Sequence, residues 1–325
     1  MKFLLLLISC LFAHANPFAI DFPEKQELTH EDFIEVQRQI RQININPLLQ
    51  TIYPENGGLS TFKDFAGRCS KGTWQTLIDP EKEFYPIKEL VKIGRGGDRC
   101  IVCCGPFNGK YPYYIQSLIQ GLRDQDFNGY FFYLIGGWPN PTGKEIKYVA
   151  VPYSFKIFTM LEAYKLGFNN VLWIDAACYP LRNIDYLFAT IAKKGALLNW
   201  FPTPSDAWRY ILPQTRDLLQ KLTGTDVLHS YYINTIVFGL KMSRPDVQEL
   251  VKLYYECAEL GTPFLSCFPE EWVLTAIIGE KKFAHFRKEK PRALIRGSHT
   301  NADDSPEEFE KVRKRGAFFY HRKGR

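Results

Sequence analysis

The sequence predicts an α/β domain with a mainly parallel sheet and helices on both faces, behind a partly helical amino-terminal extension. Three observations carry this reading. From Asp98 onward, apolar runs of strand length alternate with amphipathic runs of helix length. Glycine or proline closes several of these runs, at Gly105-Pro106, Gly136-Gly137 and Gly167. The stretch from Tyr153 to Phe188, YSFKIFTMLEAYKLGFNNVLWIDAACYPLRNIDYLF, reads as helix, tight turn, buried strand, acidic strand end, loop and helix start. Such a unit sets Asp175 at the carboxyl edge of a parallel strand, which is where open α/β sheets bind ligands.

Residues 1–15 have the pattern of an export signal: Lys2, a mostly apolar Phe3 to Phe12, then the small-x-small site Ala13-His14-Ala15. The apolar run falls short of the ~20 residues that span a bilayer, and no later run is long and apolar enough. Leu7-Ile8-Ser9-Cys10 loosely resembles a lipoprotein cleavage box, but too few apolar residues precede it. The expectation is a mature chain from Asn16 that works outside the cytoplasm, secreted, periplasmic or in a secretory-pathway lumen, with no integral membrane span. Residues 16–97 form the extension. Thr29 is a helix cap with Asp32 three residues on, and Phe33, Val36 and Ile40 follow at helical spacing. Pro47, Pro54 and Gly57-Gly58 break the pattern, and Gly94-Arg95-Gly96-Gly97 reads as a linker.

The main domain, 98–325, then unfolds in order. Arg99 to Cys104 is a strand, Tyr113 to Leu122 a helix and Tyr130 to Ile135 a second strand. Lys147 to Val151 is a short third strand. Tyr153 to Leu166 is a helix stopped by Gly167, and Val171 to Ile174 a buried strand. Asn183 to Ala192 is helical and Ala196 to Trp200 a short strand. After an irregular, proline-rich stretch come a strand at Asn234 to Leu240 and a helix at Pro245 to Leu260. Glu270 to Ile278 is the last clear helix. A basic tail follows, with Lys311, Arg313, Lys314, Arg315, Arg322, Lys323 and Arg325.

The 325 residues are 46% hydrophobic and 23% charged, with a net charge of +6, an ordinary globular balance. The positive surplus is too thin for the basic stripe of a nucleic-acid binder and suits an anionic small substrate or a solvated surface. Aromatic residues reach 15%, which fills a core or lines a sugar or nucleotide cleft. Without Cys10, seven cysteines remain: Cys69, Cys100, Cys103, Cys104, Cys178, Cys257 and Cys267. The odd number leaves at least one thiol free or paired between chains. Cys100 and Cys103 have a redox or metal spacing, but strand alternation places them on opposite faces, as packed core residues.

The turn after the first strand, Cys104-Gly105-Pro106-Phe107-Asn108-Gly109, lacks G-x-G-x-x-G and G-K-[ST]. No G-x-S-x-G and no H-E-x-x-H occurs, which removes the common hydrolase and kinase readings.

The central segment resembles the nucleotide-sugar-binding half of GT-A glycosyltransferases. The resemblance rests on the helix 153–166, then Gly167 to Asp175, then Tyr179-Pro-Leu-Arg-Asn-Ile-Asp-Tyr-Leu-Phe188. It continues at Ile233 to Leu240, similar to the family's acceptor-side strand, and at Pro269-Glu-Glu-Trp-Val-Leu274, similar to its acidic helix start. It spans about residues 98 to 290 and is carried by motif order and spacing. It implies a GT-A-like fold and transfer of a sugar from a nucleotide-diphosphate donor to a hydroxyl of a glycan or protein acceptor. The family's D-x-D appears as Asp175-Ala176-Ala177, so one carboxylate remains.

The resemblance implies donor binding by Asp175, Lys156 and Trp173, with a divalent cation, manganese or magnesium, bridging the diphosphate. His285, in His285-Phe286-Arg-Lys-Glu-Lys290-Pro291, is similar to the family's late metal-ligating histidine without its glycine, and His299 and His321 are weaker alternatives. Glu271 and Glu270 are the candidate catalytic acids, as a base that deprotonates the acceptor. Asp206, Trp208 and Asn234 fall on the acceptor side. Each residue also has a plain structural reading: Asp175 as a turn cap, Lys156 as a solvated helix lysine, Glu270 and Glu271 as helix-dipole partners, Trp208 as a loop anchor. The degenerate D-x-D equally fits a non-catalytic descendant of the fold that binds a glycan or a protein. A nucleotidyltransferase lacks support, because its glycine-rich basic loop is missing.

Overall fold

Three strands make the parallel heart of the sheet, because each is a nearly continuous apolar run buried on both faces. They are β2 (Arg99–Gly105), β3 (Gly129–Ile135) and β4 (Asn170–Ile174), in spatial order β3-β2-β4. The computed structural model describes residues 16–43, 86–106, 110–287, 295–296 and 306–322. Residues 1–15, expected as an export signal, and Pro47, Pro54, Gly57-Gly58, Cys69, Phe107 to Gly109, Lys290-Pro291, His299, Lys323 and Arg325 lie outside the described residues.

The sheet is mixed, which corrects the expectation of a mainly parallel one. β1 (Ile87–Ile93) runs antiparallel to β3 at one edge. β7 (Tyr231–Lys241) runs antiparallel to β4, and β6 (Ala196–Pro202) pairs antiparallel with β7 at the other edge. The complete order is β1-β3-β2-β4-β7-β6. Two physical causes explain the difference. Residues 86–93, read from sequence as extension, supply an edge strand whose Lys88, Glu89 and Lys92 keep the edge soluble. The chain leaves β6 at the ligand edge and stays there through α5 (Pro213–Thr223) and two 3₁₀ turns, so it must enter β7 running the other way.

The expected strand at Lys147 to Val151 is a 3₁₀ turn over Glu145–Tyr148 followed by further turns. The fully buried Glu145 carboxylate decides the matter. It accepts from Thr142 N at 2.9 Å, Thr142 Oγ1 at 2.5 Å and the Tyr255 hydroxyl, while the Glu145 carbonyl accepts from Trp138 Nε1 at 2.8 Å. A buried carboxylate needs such donors, and the tight turn brings those of Thr142 to it.

Helices cover both faces, as expected. α1 (His30–Ile40), α3 (Phe155–Lys165), α6 (Pro245–Leu260) and α7 (Pro269–Gly279) pack with Cys100, Val102, Trp173 and Phe238 on one side. α2 (Tyr111–Asp124) and α4 (Asp185–Lys194) pack with Ile101, Cys103, Leu172 and Val237 on the other. Cys100 and Cys103 therefore occupy opposite cores, as strand alternation requires. The capping box of α1 is present: Thr29 Oγ1 accepts from Asp32 N, and Asp32 Oδ2 accepts from Thr29 N at 2.6 Å.

A second, three-stranded sheet lies beside the ligand edge. β5 (Cys178–Pro180), just past Asp175, pairs antiparallel with β9 (Phe319–His321), and β9 pairs parallel with β8 (Ile295–Arg296). α8 (Pro306–Lys314) packs over this sheet, with Phe309 stacked on Tyr179 at 5.0 Å. Among the described residues no helix is long and apolar enough to cross a membrane.

Candidate functional site

Asp175 follows β4 at the carboxyl edge and opens onto a cavity of about 250 Å³. The first strand turn and α2 supply one wall with Lys110, Tyr111 and Tyr114, and the start of α3 supplies another with Tyr153, Phe155 and Lys156. Trp173 and Asp175 rise from β4 on the same side, two residues apart. Ala176 and Ala177 continue the floor, and His321 and Arg322 enter from β9. Gly105 lets Tyr111 approach: a Cβ there would lie 2.3 Å from the Tyr111 ring. Tyr153 has φ +59°, a left-handed backbone that a bulky residue adopts at a cost. This strain sits at the cavity wall.

The Asp175 carboxylate is 28% exposed and the Lys156 side chain 5%. Asp175 Oδ1 accepts from Trp173 Nε1 at 2.7 Å and lies 3.1 Å from Lys156 Nζ. The indole thus orients the carboxylate, and the ammonium lies 5.4 Å from the Trp173 ring centre. Behind the cavity Lys156 Nζ meets Glu270 Oε1 at 2.9 Å and donates to Thr235 Oγ1 at 3.1 Å and Thr235 O at 3.2 Å. Burial would push the lysine pKa down, but Asp175 and then Glu270 outweigh it and hold the ammonium charged. The solvated reading of Lys156 is thereby corrected: it is a buried cation that links the cavity acid to the acids beneath.

Glu270 and Glu271 do not line the cavity. They are 4% and 6% exposed at the start of α7 and hold β7 in place. Glu271 Oε1 accepts from Asn234 Nδ2 at 2.9 Å and Thr235 N at 3.0 Å, and Oε2 accepts from the Tyr232 hydroxyl. Thr235 Oγ1 donates to Glu270 Oε1 at 2.8 Å. Burial, then the Glu270 charge, pushes the Glu271 carboxyl up to about 7, against the pull of its donors. Asn234 is bound into this network and also accepts from Asn199 Nδ2 at 3.2 Å.

Asp206 and Trp208 sit beyond β6, on a 3₁₀ turn over Ala207–Tyr210. Because β6 runs parallel to β4, its end and this turn lie at the ligand edge. Trp208 is 53% exposed, with Arg209 5.3 Å from its ring centre, so its ring is not buried as an anchor. His285 lies elsewhere. Its Nε2 is 2.8 Å from Asp246 Oδ2, at the start of α6, which follows the end of β7 at the opposite edge. The structure therefore does not bring His285 to Asp175. His321 does reach the cavity, carried by β9 opposite Cys178.

These residues do not fit a divalent cation held by the protein. Asp175 is the one carboxylate among the described lining residues, and its Oδ1 already faces the Lys156 ammonium. The place of the second carboxylate is Ala177, whose carbonyl accepts from Arg322 N at 2.9 Å. Hard cations take several oxygen ligands. Among the described residues no three His, Cys, Asp or Glu side chains come together to hold a metal.

Sequence reasoning missed Lys110, Tyr111, Tyr114, Tyr153 and Arg322. The first three follow β2 at its carboxyl edge, so the rule that located Asp175 also points to them. Burial, then the Asp175 charge, pushes the Tyr111 phenol up, leaving it a neutral hydroxyl at the cavity. Arg322 carries no local signal beyond being one charge in a basic tail.

No known protein family matches the chain in sequence, and no curated protein matches it either.

Proposed function

We propose that the protein is a glycosyltransferase of GT-A type that moves a sugar from a nucleotide-diphosphate sugar to a hydroxyl acceptor outside the cytoplasm. The observation that carries this reading is Asp175, an oriented and half-open carboxylate at the carboxyl edge of parallel strands, facing a cavity walled by aromatic rings and basic side chains. Flat rings pack against a base or a sugar, and the cations answer the phosphates. The acceptor approaches over the turn that carries Asp206 and Trp208. In the transfer, the bond from the anomeric carbon to the acceptor oxygen forms and the bond to the phosphate oxygen breaks. The acceptor proton passes to the Asp175 carboxylate, and Lys156 stabilises the charge left on the diphosphate. Glu270 and Glu271 act at one remove, by fixing Lys156 and the start of β7.

The test is to incubate the folded protein with a panel of nucleotide sugars and hydroxyl acceptors and measure release of nucleoside diphosphate. Release above the rate without protein, lost in Asp175→Asn, supports the reading. A folded protein that binds no donor and releases no product sinks it.

A second reading, a glycan- or protein-binding module that has lost transfer, is favoured by Ala177 and by the burial of both Glu270 and Glu271. Glycan binding by the wild type without any nucleotide-sugar binding distinguishes it.

A further inference from the structure

Among the described residues three basic side chains, Lys110, Lys156 and Arg322, line the cavity, and Lys156 already faces two carboxylates, Asp175 in the cavity and Glu270 behind it. One of the three, Arg322, directly follows β9, far away in sequence. β9 pairs with β5 so that His321 stands opposite Cys178, and Arg322 N donates to Ala177 O at 2.9 Å. The Arg322 guanidinium lies 5.0 Å from the Tyr179 ring centre, and its NH1 donates to Ser117 Oγ at 3.0 Å. These contacts hold a long side chain that is only 8% exposed overall, which lowers the entropy lost on meeting an anion. Beside it, at Ala177, no carboxylate is available to hold a bridging metal. A dication at Asp175 would also lie next to the Lys156 ammonium, 3.1 Å from the same oxygen. Like charges so close in a partly dry site repel strongly.

We propose that this cavity binds the diphosphate of its ligand without a divalent cation, with Lys110 and Arg322 meeting the phosphates, Lys156 offsetting Asp175 beneath them, and β9 carrying Arg322 to the site. The inference rests on the nucleotide-sugar reading for the identity of the ligand. Arginine suits the role because its planar fork meets two phosphate oxygens at once. Lys110 adds a point charge from the start of α2, while Lys156, at the start of α3, offsets the Asp175 carboxylate. The rings of Tyr111, Tyr114 and Tyr153 leave flat surface for whatever the diphosphate carries.

The experiment is a calorimetric titration of the full chain with UDP, GDP, CDP and ADP in EDTA, repeated with manganese, and with inorganic pyrophosphate as the bare anion. The expected result is binding of at least one nucleoside diphosphate in EDTA, changed less than about threefold by manganese. Arg322→Gln and Lys110→Gln should each weaken it by about tenfold or more, as loss of a charge-assisted hydrogen bond implies. Arg322→Lys should restore part of the loss. Lys110 lies outside β9, so its variant reports on the anion site even if Arg322→Gln loosens the strand. Binding that appears only with manganese overturns the inference and leaves the proposed function standing. Binding of pyrophosphate in EDTA, weakened by both variants, with no nucleotide bound, supports the anion site and overturns the proposed function. Absence of binding by every anion overturns both.

Discussion

The Lys156 ammonium lies 2.9 Å from Glu270 Oε1, inside the protein and directly behind the cavity. A buried charge of this kind is tolerated only with its partners. Lys156→Met leaves Glu270 facing Thr235 without its cation and removes the charge beside Asp175. The expected loss of stability is about 3–5 kcal/mol, read as a lower midpoint in urea unfolding. Lys156→Arg keeps the charge and should lose less. A Lys156→Met protein as stable as the wild type would show that the ion pair is not held in solution.

Glu271 titrates differently in the folded and unfolded chain. Burial and the neighbouring Glu270 charge raise its folded pKa to about 7, above the ordinary carboxylate value of 4.5. The folded state therefore holds the extra proton between these values, and stability falls as pH rises from about 4.5 through about 7. The loss attributable to this group is on the order of 3 kcal/mol by the linkage relation. Urea midpoints measured across this range should slope downward for the wild type and flatten in Glu271→Gln, which cannot ionise. An unchanged slope in the variant would assign the pH dependence to other groups.

Asp175→Asn keeps an oxygen for Trp173 Nε1 while removing the charge. Transfer, measured as kcat/KM for donor turnover, should fall by on the order of 10²–10³. The unfolding midpoint should move little, because the carboxylate is partly solvated and Lys156 keeps Glu270. Loss of activity with an intact fold separates a chemical role from a turn-capping one.

Much of this site was legible. The strand–acid pattern at Val171 to Asp175 places the carboxylate correctly, and the helix that follows Pro269 begins where the pattern puts it. The burial of Lys156 was legible too, had the helix been read by its neighbours. Phe155, Ile157, Phe158, Thr159 and Met160 are buried with it, and a helix start with no polar face has no solvated place for a lysine. The same logic applies to Glu270 and Glu271, which open a helix that is buried from Pro269 to Ile278. β9 was not legible. It is three residues long, its partner lies far upstream, and neither periodicity nor turn chemistry specifies such a pairing. The direction of β7 was likewise hidden, since strand patterning is identical for parallel and antiparallel neighbours when both faces are buried.

Six cysteines are buried among the described residues, and Cys100, Cys103, Cys104, Cys178 and Cys257 are free thiols. Burial pushes the thiols of Cys104 and Cys257 up to about 12 and those of Cys103 and Cys178 well above the usual value. A thiolate-specific reagent should leave these five thiols unlabelled in the native protein and label all five after unfolding in denaturant. Rapid native labelling mapped to any of them would show that its core opens readily.

Trp208 is exposed and packs mainly beside Arg209. Trp208→Ala should change stability by no more than about 0.5 kcal/mol. If the ring stacks on an acceptor sugar, the variant raises KM for acceptor and leaves KM for donor unchanged. Equal effects on both would place the ring outside acceptor binding.

The pairing of β5 with β9 also sets a clock. A chain emerging from the ribosome can build β2, β3, β4 and the acid at residue 175 long before residues 319–322 are synthesised. Until they arrive, Ala177 has no strand beside it and the cavity has no Arg322. Long-range closure of this kind is a slow, late event in folding. Nascent or prematurely released chains would therefore carry the sheet without the anion site, and ligand binding would report that synthesis has passed residue 322.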